Sequence, residues 1–277
     1  MRHISAILEK NGIEDAAAEA EMLLAEALHI SKARLYTDTP DIPEGAAVLI
    51  DDCVSRRVRG EPLQYIIGYV EFFGLRINVG RGTLIPRPET ELLVEEAIKL
   101  LKRFTIHDSR LTVLDLCTGS GCIALALAQH FPDADVYGVD QSEAALVYAT
   151  QNALENNIRN VHFKLGDLFE PVRSLHVDCI VSNPPYIRRD EITTLQREVK
   201  EYEPLEALDG GPDGLDFYRR ILGQAPKHLR KNGIIILEMG FGQARDIEAI
   251  AIKAGMGDIE IIRDYAGIER IFVGRRL

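Results

Sequence analysis

The chain has 277 residues, 46% of them hydrophobic and 27% charged, the proportions of a globular protein with one large or two unequal domains. A net charge of −11 speaks against gripping duplex nucleic acid by its phosphates, and the longest apolar runs, such as Ile234 to Leu237, are too short to cross a bilayer. Cys53, Cys117, Cys122 and Cys179 form no Cys-x-x-Cys pair and the histidines no His-x-x-x-His, so no metal site is expected; Met1-Arg2-His3 opens no apolar signal core, which makes the cytoplasm the default location.

From Ile4 to about Arg59 the chain reads as helices. Ile13, Ala17, Ala20, Leu24, Ala27 and Leu28 recur at three- and four-residue steps, and a further helix is expected from Glu44 to about Arg59. The character changes at Tyr69. Gly74 to Val79 alternates apolar and polar residues, which marks a half-buried strand; Gly80-Arg81-Gly82 supplies a turn and Thr83-Leu84-Ile85 a return strand. Residues 69–85 are therefore expected to form a β-hairpin linker between a helical domain at 1–68 and a second domain at 86–277. Pro88 suits the first turn of a helix that runs to about Arg103, with Glu89 and Glu91 favourably near its positive end.

Beyond Arg110 strand and helix alternate. Strands are expected at Leu111–Leu116, Asp135–Asp140, Val161–Leu165, Val177–Ser182 and Ile234–Glu238, with helices at Cys122–His130, Glu143–Asn156, Asp216–Leu229 and Gln243–Lys253. That rhythm means a mostly parallel sheet covered on both faces. Ile259–Asp264 and Glu269–Val273 are joined by only four residues, a gap that fits antiparallel neighbours alone. An α/β sheet that ends in an antiparallel hairpin departs from the ordinary dinucleotide-binding domain.

Val113-Leu114-Asp115-Leu116 leads into Cys117-Thr118-Gly119-Ser120-Gly121, where a buried strand turns into a helix. Ligands of doubly wound sheets bind at such carboxyl ends, and Gly119 and Gly121 permit a tight turn and close approach. Asp140 ends the next strand, where a carboxylate can accept from ribose hydroxyls. Alone the turn is ambiguous, because Gly119 to Ala124 also fits a nicotinamide-binding fingerprint. Asp115 ahead of it, and the end of the fourth strand, favour S-adenosylmethionine.

That fourth strand runs into Asn183-Pro184-Pro185-Tyr186. The two prolines fix two φ angles and remove two donors, leaving a stiff corner with outward carbonyls. An amide or exocyclic amino nitrogen is a poor nucleophile, its lone pair being delocalised into the adjoining π-system. Its N–H groups need two acceptors, for which the Asn183 side-chain oxygen and the Pro184 carbonyl are the candidates, with Tyr186 stacked on the planar group. Alignment with the sulfonium methyl supplies proximity. No general base is required before attack, since the proton leaves afterwards.

With these residues in place, the sequence resembles the release-factor glutamine methyltransferases (the HemK/PrmC family) over nearly its full length. The residues that carry the likeness are Glu61 to Ile66 with Gly68, Glu71 to Gly74, Leu84 to Glu91, the glycine turn, Ser182 to Ile187, Glu201 to Pro204 and Gly210-Gly211. The resemblance implies a seven-stranded Rossmann-like (class I) methyltransferase domain with a small all-α N-terminal substrate-recognition domain. It implies transfer from S-adenosyl-L-methionine to the side-chain amide nitrogen (N5) of the glutamine in the Gly-Gly-Gln motif of class 1 translation release factors. The cofactor-binding set it implies comprises Cys117, Thr118, Gly119, Ser120, Gly121, Asp140, Asp167, Leu168 and Asn183, the last also contacting substrate with Pro184, Pro185 and Tyr186. Cys117 stands where many relatives have glycine, and Leu168 where some have tryptophan. The partner expected is a protein, without direct nucleic acid or membrane, and the enzyme a monomer. Glu201 to Gly214 reads as a loop able to cover the reacting groups, a plain surface connection being the alternative. The main rival is an adenine-specific nucleic-acid amino-methyltransferase, which shares Asn-Pro-Pro-Tyr but would need a basic grip on its substrate; nicotinamide binding and a vestigial, non-catalytic scaffold are the others.

Overall fold

The computed structural model describes residues 1–37, 43–103 and 110–276. The part of the expected N-terminal helical region that falls on residues 38–42 lies outside them. The chain divides into two compact units, residues 1–69 with 196–202, and residues 70–195 with 203–277.

The first unit contains α1 (Arg2–Lys10), α2 (Ala16–Ala27), α3 (Lys32–Thr37), α4 (Glu44–Val58) and α5 (Leu63–Ile67), and the short helix α9 (Arg197–Tyr202) from later in the chain. Its core is Leu8, Ala20, Leu23, Leu24, Ile50, Val54 and Leu63. The expected stripe is corrected here: Ile13 lies in the turn between α1 and α2, and Ala17 is exposed, while Ala16, Ala20, Leu23, Leu24 and Ala27 face inward. Arg57 of α4 is buried and lies 2.6 Å from Glu19 and 2.9 Å from Glu198, so one guanidinium joins α2, α4 and α9.

The second unit begins with a two-stranded hairpin, β1 (Tyr69–Phe72, whose first residue belongs to the first unit) and β2 (Leu75–Asn78). The hairpin expected within 69–85, with strands at 74–79 and 83–85 about a turn at 80–82, is thereby corrected. Its turn is Phe73-Gly74, both at positive φ (49° and 76°), the two-residue loop whose twist suits antiparallel strands. Thr83 to Ile85 forms no strand. The helix α6 (Pro88–Leu101) follows, with Pro88 at its start; Glu91 accepts from the Phe73 amide at 2.9 Å.

The main sheet has seven strands in the order β5-β4-β3-β6-β7-β9-β8: β3 (Thr112–Leu116), β4 (Asp135–Asp140), β5 (Val161–Leu165), β6 (Val177–Ser182), β7 (Leu229–Glu238), β8 (Met256–Arg263) and β9 (Glu269–Arg276). The first five are parallel and β9 runs antiparallel to both its neighbours. Helices α7 (Cys122–His130), α8 (Glu143–Glu155), α10 (Asp216–His228) and α11 (Ala244–Lys253) connect them. All five residues of β3 are buried, as a central strand covered on both faces requires. Tyr218, Ile221, Leu222 and Ala225 of α10 and Ile247 and Ala251 of α11 pack against Leu114, Ile180, Ile235 and Phe272. β7 reaches five residues further back than expected, through an irregular stretch in which Val177 pairs Leu229 and Cys179 already pairs Ile234. The outcome that matters for chemistry is register. Leu116 pairs Ser182 and Leu116 pairs Val139, so the turns after β3, β4 and β6 emerge side by side at one edge.

Candidate active site

At that edge lies a cavity of about 570 Å³, within the range that holds a cofactor-sized ligand. Cys117 and Gly119 line it from the turn after β3, Asp140 and Gln141 from the end of β4, Asp167 and Leu168 from the loop after β5, and Asn183 and Pro185 from the corner after β6. Thr118, Ser120 and Gly121, expected beside the cofactor, are not among the lining residues, nor are Pro184 and Tyr186.

The glycine turn explains that division. Asp115 is fully buried, and its Oδ2 accepts the Thr118 hydroxyl at 2.5 Å and the Ala124 amide at 3.2 Å. Thr118 is thus drawn under the turn, away from the cavity. Burial drives the Asp115 carboxyl up to about 7, against those two donors, and its Oδ1 has no hydrogen-bond partner among the described residues. The two glycines differ in purpose. A Cβ on Gly121 (φ 82°) would meet Ala149 and Phe163 at 3.1 Å, so that glycine lets α8 and β5 pack close. A Cβ on Gly119 (φ 56°) would meet no protein atom, so its missing side chain leaves room on the cavity side. Ser120 is buried, and its carbonyl accepts from Asn152 Nδ2 at 2.9 Å; the same Asn152 exchanges two bonds with the Asn78 backbone. Cys117 carries φ 58°, a left-handed conformation that suits glycine. Burial and the nearby carboxylates Asp140 and Asp115 push its thiol up, which disfavours the thiolate.

Asp140 accepts the Gly119 amide through Oδ2 at 2.8 Å and the Ser142 amide through Oδ1 at 2.9 Å. Burial raises its carboxyl, while the amides of Ser142, Gly119 and Gln141 lower it. Three amides take at most three of the roughly four lone-pair sites of a carboxylate, which leaves acceptor capacity for a ribose hydroxyl. Leu168 (φ 49°) is buried against the core, and Phe217 of α10 adds an aromatic wall with the Arg220 guanidinium 5.4 Å from its ring centre. Arg220 also pairs with Asp167. A carboxylate for a diol, an aromatic and aliphatic slot for a flat base, and open space at Gly119 fit the three parts of S-adenosylmethionine.

At the corner after β6, Asn183 Nδ2 donates to the Thr90 hydroxyl at 3.2 Å, and Thr90 donates to Glu238 Oε2 at 2.7 Å. The Tyr186 hydroxyl donates to Glu238 Oε1 at 3.4 Å, so the ring is held toward the core by its polar end. Gln243 Nε2 donates to the Tyr186 carbonyl at 3.0 Å, which fixes the corner from behind. Burial lifts the Glu238 carboxyl to about 6, opposed by Thr90, Arg270 and Tyr186. Neither Thr90 nor Glu238 is read as a site residue from the sequence; the cues are the place of Thr90 in the Leu84–Glu91 run that carries the family likeness and a carboxylate closing the apolar run Ile234–Leu237.

Further wall comes from Gly82 of the expected turn, from Thr83 and Leu84 of the expected return strand, and from Pro204, Glu206 and Ala207. Glu203, a buried carboxylate, accepts from the Ile85 amide at 3.2 Å and from Arg87 at 2.5 Å, tying both segments together. The Glu201–Gly214 stretch thus lines the cavity in part, with a short helical turn at Leu205–Ala207.

Among known proteins, a methyltransferase-domain family matches residues 107–251 and the PrmC N-terminal domain family matches residues 1–68. A release factor glutamine methyltransferase of Thermodesulfovibrio yellowstonii is 49% identical over 92% of this chain and 91% of its own. One from Geobacter sulfurreducens is 45% identical over 97% and 92%, and one from Cereibacter sphaeroides 41% over 95% and 92%. Among solved structures, a methyltransferase from Pyrococcus furiosus matches with a TM-score of 0.54 at 21% identity, covering 74% of this chain and 90% of that one. A Thermus thermophilus 16S rRNA N2 methyltransferase in complex with AdoMet and guanosine matches with a TM-score of 0.53 at 19% identity, over 76% and 50%. These two likenesses speak to the fold.

Proposed function

The chain belongs to the release factor glutamine methyltransferases, and from that premise we propose how its own residues carry out the reaction. It is an S-adenosylmethionine-dependent enzyme that methylates a glutamine side-chain nitrogen of a translation release factor. The adenine nucleic-acid reading is not favoured: relatives across the whole chain are named for release factors, and the chain is acidic.

S-adenosylmethionine, when bound, supplies the electrophilic methyl group. Asp140 would hold the ribose, Leu168, Asp167 and Phe217 would border the adenine, and Cys117 and Gly119 would flank the methionine part. Thr118, Ser120 and Gly121 serve that site through the shape of the turn. The observation that carries the mechanism is the Asn183 side chain lining the cavity with its nitrogen engaged by Thr90. Its Oδ1 is then the acceptor for one N–H of the substrate amide, and the Pro184 carbonyl the acceptor for the other. Holding both protons weakens the delocalisation of the nitrogen lone pair and aims it at the methyl carbon. Forming the C–N bond would break the bond from the methyl carbon to sulfur, the electron pair staying on sulfur, and the alkylated nitrogen would then lose one proton to solvent. Pro185 stiffens the corner, and Tyr186, whose ring packs toward the core, braces it through Glu238.

The substrate glutamine is that of the Gly-Gly-Gln motif of class 1 factors, which the resemblance implies; residues 1–68 serve as the domain that recognises the factor, while residues 70–85, expected as part of a connector, belong to the catalytic unit and supply Gly82, Thr83 and Leu84 to its cavity. The enzyme works as a cytoplasmic monomer away from membranes; among the described residues no helix is long and apolar enough to cross one. Incubation with labelled S-adenosylmethionine and either purified release factor or DNA tests this. Label on the factor, mapped by peptide mass spectrometry to one glutamine, is the expected result; label on DNA alone would end the reading.

A further inference from the structure

Asn183 is held by a chain of hydrogen bonds that ends in a buried carboxylate. Glu238 closes β7 and is 1% exposed, as is Thr90 in the first turn of α6. The Thr90 hydroxyl has a single proton, and at 2.7 Å from Glu238 Oε2 it gives that proton to the carboxylate. Its oxygen then offers only lone pairs to Asn183, whose Nδ2 lies 3.2 Å away. The amide is therefore turned one way round, nitrogen toward Thr90, and no donor among the described residues reaches its Oδ1. The other carboxylate oxygen accepts the Tyr186 hydroxyl at 3.4 Å, and the Glu238 backbone carbonyl accepts the Tyr218 hydroxyl at 2.8 Å. One residue thus touches both side chains of the Asn-Pro-Pro-Tyr corner, directly or through one hydroxyl.

We propose that Glu238 is a positioning residue for methyl transfer, which through the Thr90 hydroxyl fixes the Asn183 amide so that its oxygen, not its NH₂, is presented to the incoming glutamine. This rests on the role given to Asn183 above. The two ends of an asparagine amide are nearly isosteric, so shape cannot choose between them and only hydrogen-bond polarity can. A flipped Asn183 would set donor against donor at the substrate nitrogen. An ionised carboxylate accepts and never donates, so it dictates the direction of every bond in the chain that follows it.

The test is a set of single-residue variants compared at saturating release factor, with S-adenosylmethionine affinity and circular dichroism measured alongside. Glu238→Gln has an NH₂ that can donate to Thr90 and release the hydroxyl proton toward Asn183, inverting the relay; kcat is expected to fall about 10²-fold, as for loss of a preorganised polar group, with cofactor Kd unchanged. Thr90→Val is expected to match it, Thr90→Ser to restore kcat, and the double variant Glu238→Gln/Thr90→Val to fall no further than either alone, because both act on one path. Asn183→Ala is measured in the same series. Wild-type kcat for Glu238→Gln and Thr90→Val beside an inactive Asn183→Ala overturns the relay and leaves the Asn183 reading standing; an active Asn183→Ala overturns the reading beneath both. Thr90→Ser as poor as Thr90→Val, or a kcat loss matched by lost cofactor affinity, marks a merely structural role and also overturns the proposal. Should Glu238→Gln fail to fold, the Thr90 pair decides alone.

Discussion

The Asp140 carboxylate accepts the Gly119 amide at 2.8 Å, so a single side chain at the end of β4 sets the turn after β3. It does so while keeping lone pairs on the cavity side. Asp140→Ala removes a charged acceptor worth about 1.5–3 kcal/mol per hydrogen bond. S-adenosylmethionine affinity is therefore expected to drop on the order of 10²-fold, read by calorimetry. Unchanged affinity would detach Asp140 from the ribose.

Cys117 occupies a left-handed backbone conformation that costs a non-glycine residue about 1–2 kcal/mol. Cys117→Gly relieves that cost but loses thiol burial and adds freedom to the unfolded chain, each about 1 kcal/mol or less. The terms roughly offset, and the variant is expected to unfold within about 4 °C of the parent. Cys117→Val keeps the volume but puts a β-branched side chain at φ 58° and is expected to melt clearly lower. Equal melting of the two variants in thermal unfolding would refute the backbone argument.

The buried Asp115 gives stability a pH slope of unusual sign. Its carboxyl sits at about 7 in the folded protein, above the ordinary 3.8. A group whose folded value is raised contributes stability fully present below the unfolded value and lost as pH climbs through the folded one. Stability is thus expected to decline between about pH 4 and pH 7, and urea unfolding of Asp115→Asn should show a flatter profile than the parent over that window. Parallel profiles would mean that Asp115 does not carry the slope.

Within the helical unit, Arg57 lies between Glu19 and Glu198 and is itself buried. Arg57→Met keeps the aliphatic stem but leaves two carboxylates without their shared cation. Glu198 is part-exposed and recovers some hydration, so a loss of about 2–3 kcal/mol is expected, below the upper range for a fully buried pair. Chemical denaturation measures it, and a loss under about 0.5 kcal/mol would class the cluster with ordinary surface pairs.

Much of the α/β architecture was legible because burial on both faces writes long apolar strands such as Thr112–Leu116, separated by helices of regular period. The hairpin was misplaced because Gly80-Arg81-Gly82 has the stronger turn composition, whereas the real turn puts Phe73 at positive φ, where a bulky residue is rare. Ile13 and Ala17 continued a helical spacing across a turn that the spacing itself does not reveal. At the site, Gly119, Asp140 and Asn183 stand at strand ends, where sequence order and topology coincide. Thr90 and Glu238 are 148 residues apart and meet only because α6 packs against β7, which no local pattern encodes. Phe217 likewise reaches the cavity from a helix whose period reports the core and not the ligand.

The most direct measurement is single-turnover methyl transfer to release factor by Asn183→Ala, with cofactor binding followed in parallel. A rate lowered about 10²–10³-fold at intact S-adenosylmethionine affinity is the expected result, as for the loss of one preorganised polar group. A variant that transfers methyl at nearly the parent rate would contradict the idea that this side-chain oxygen holds the amide for attack.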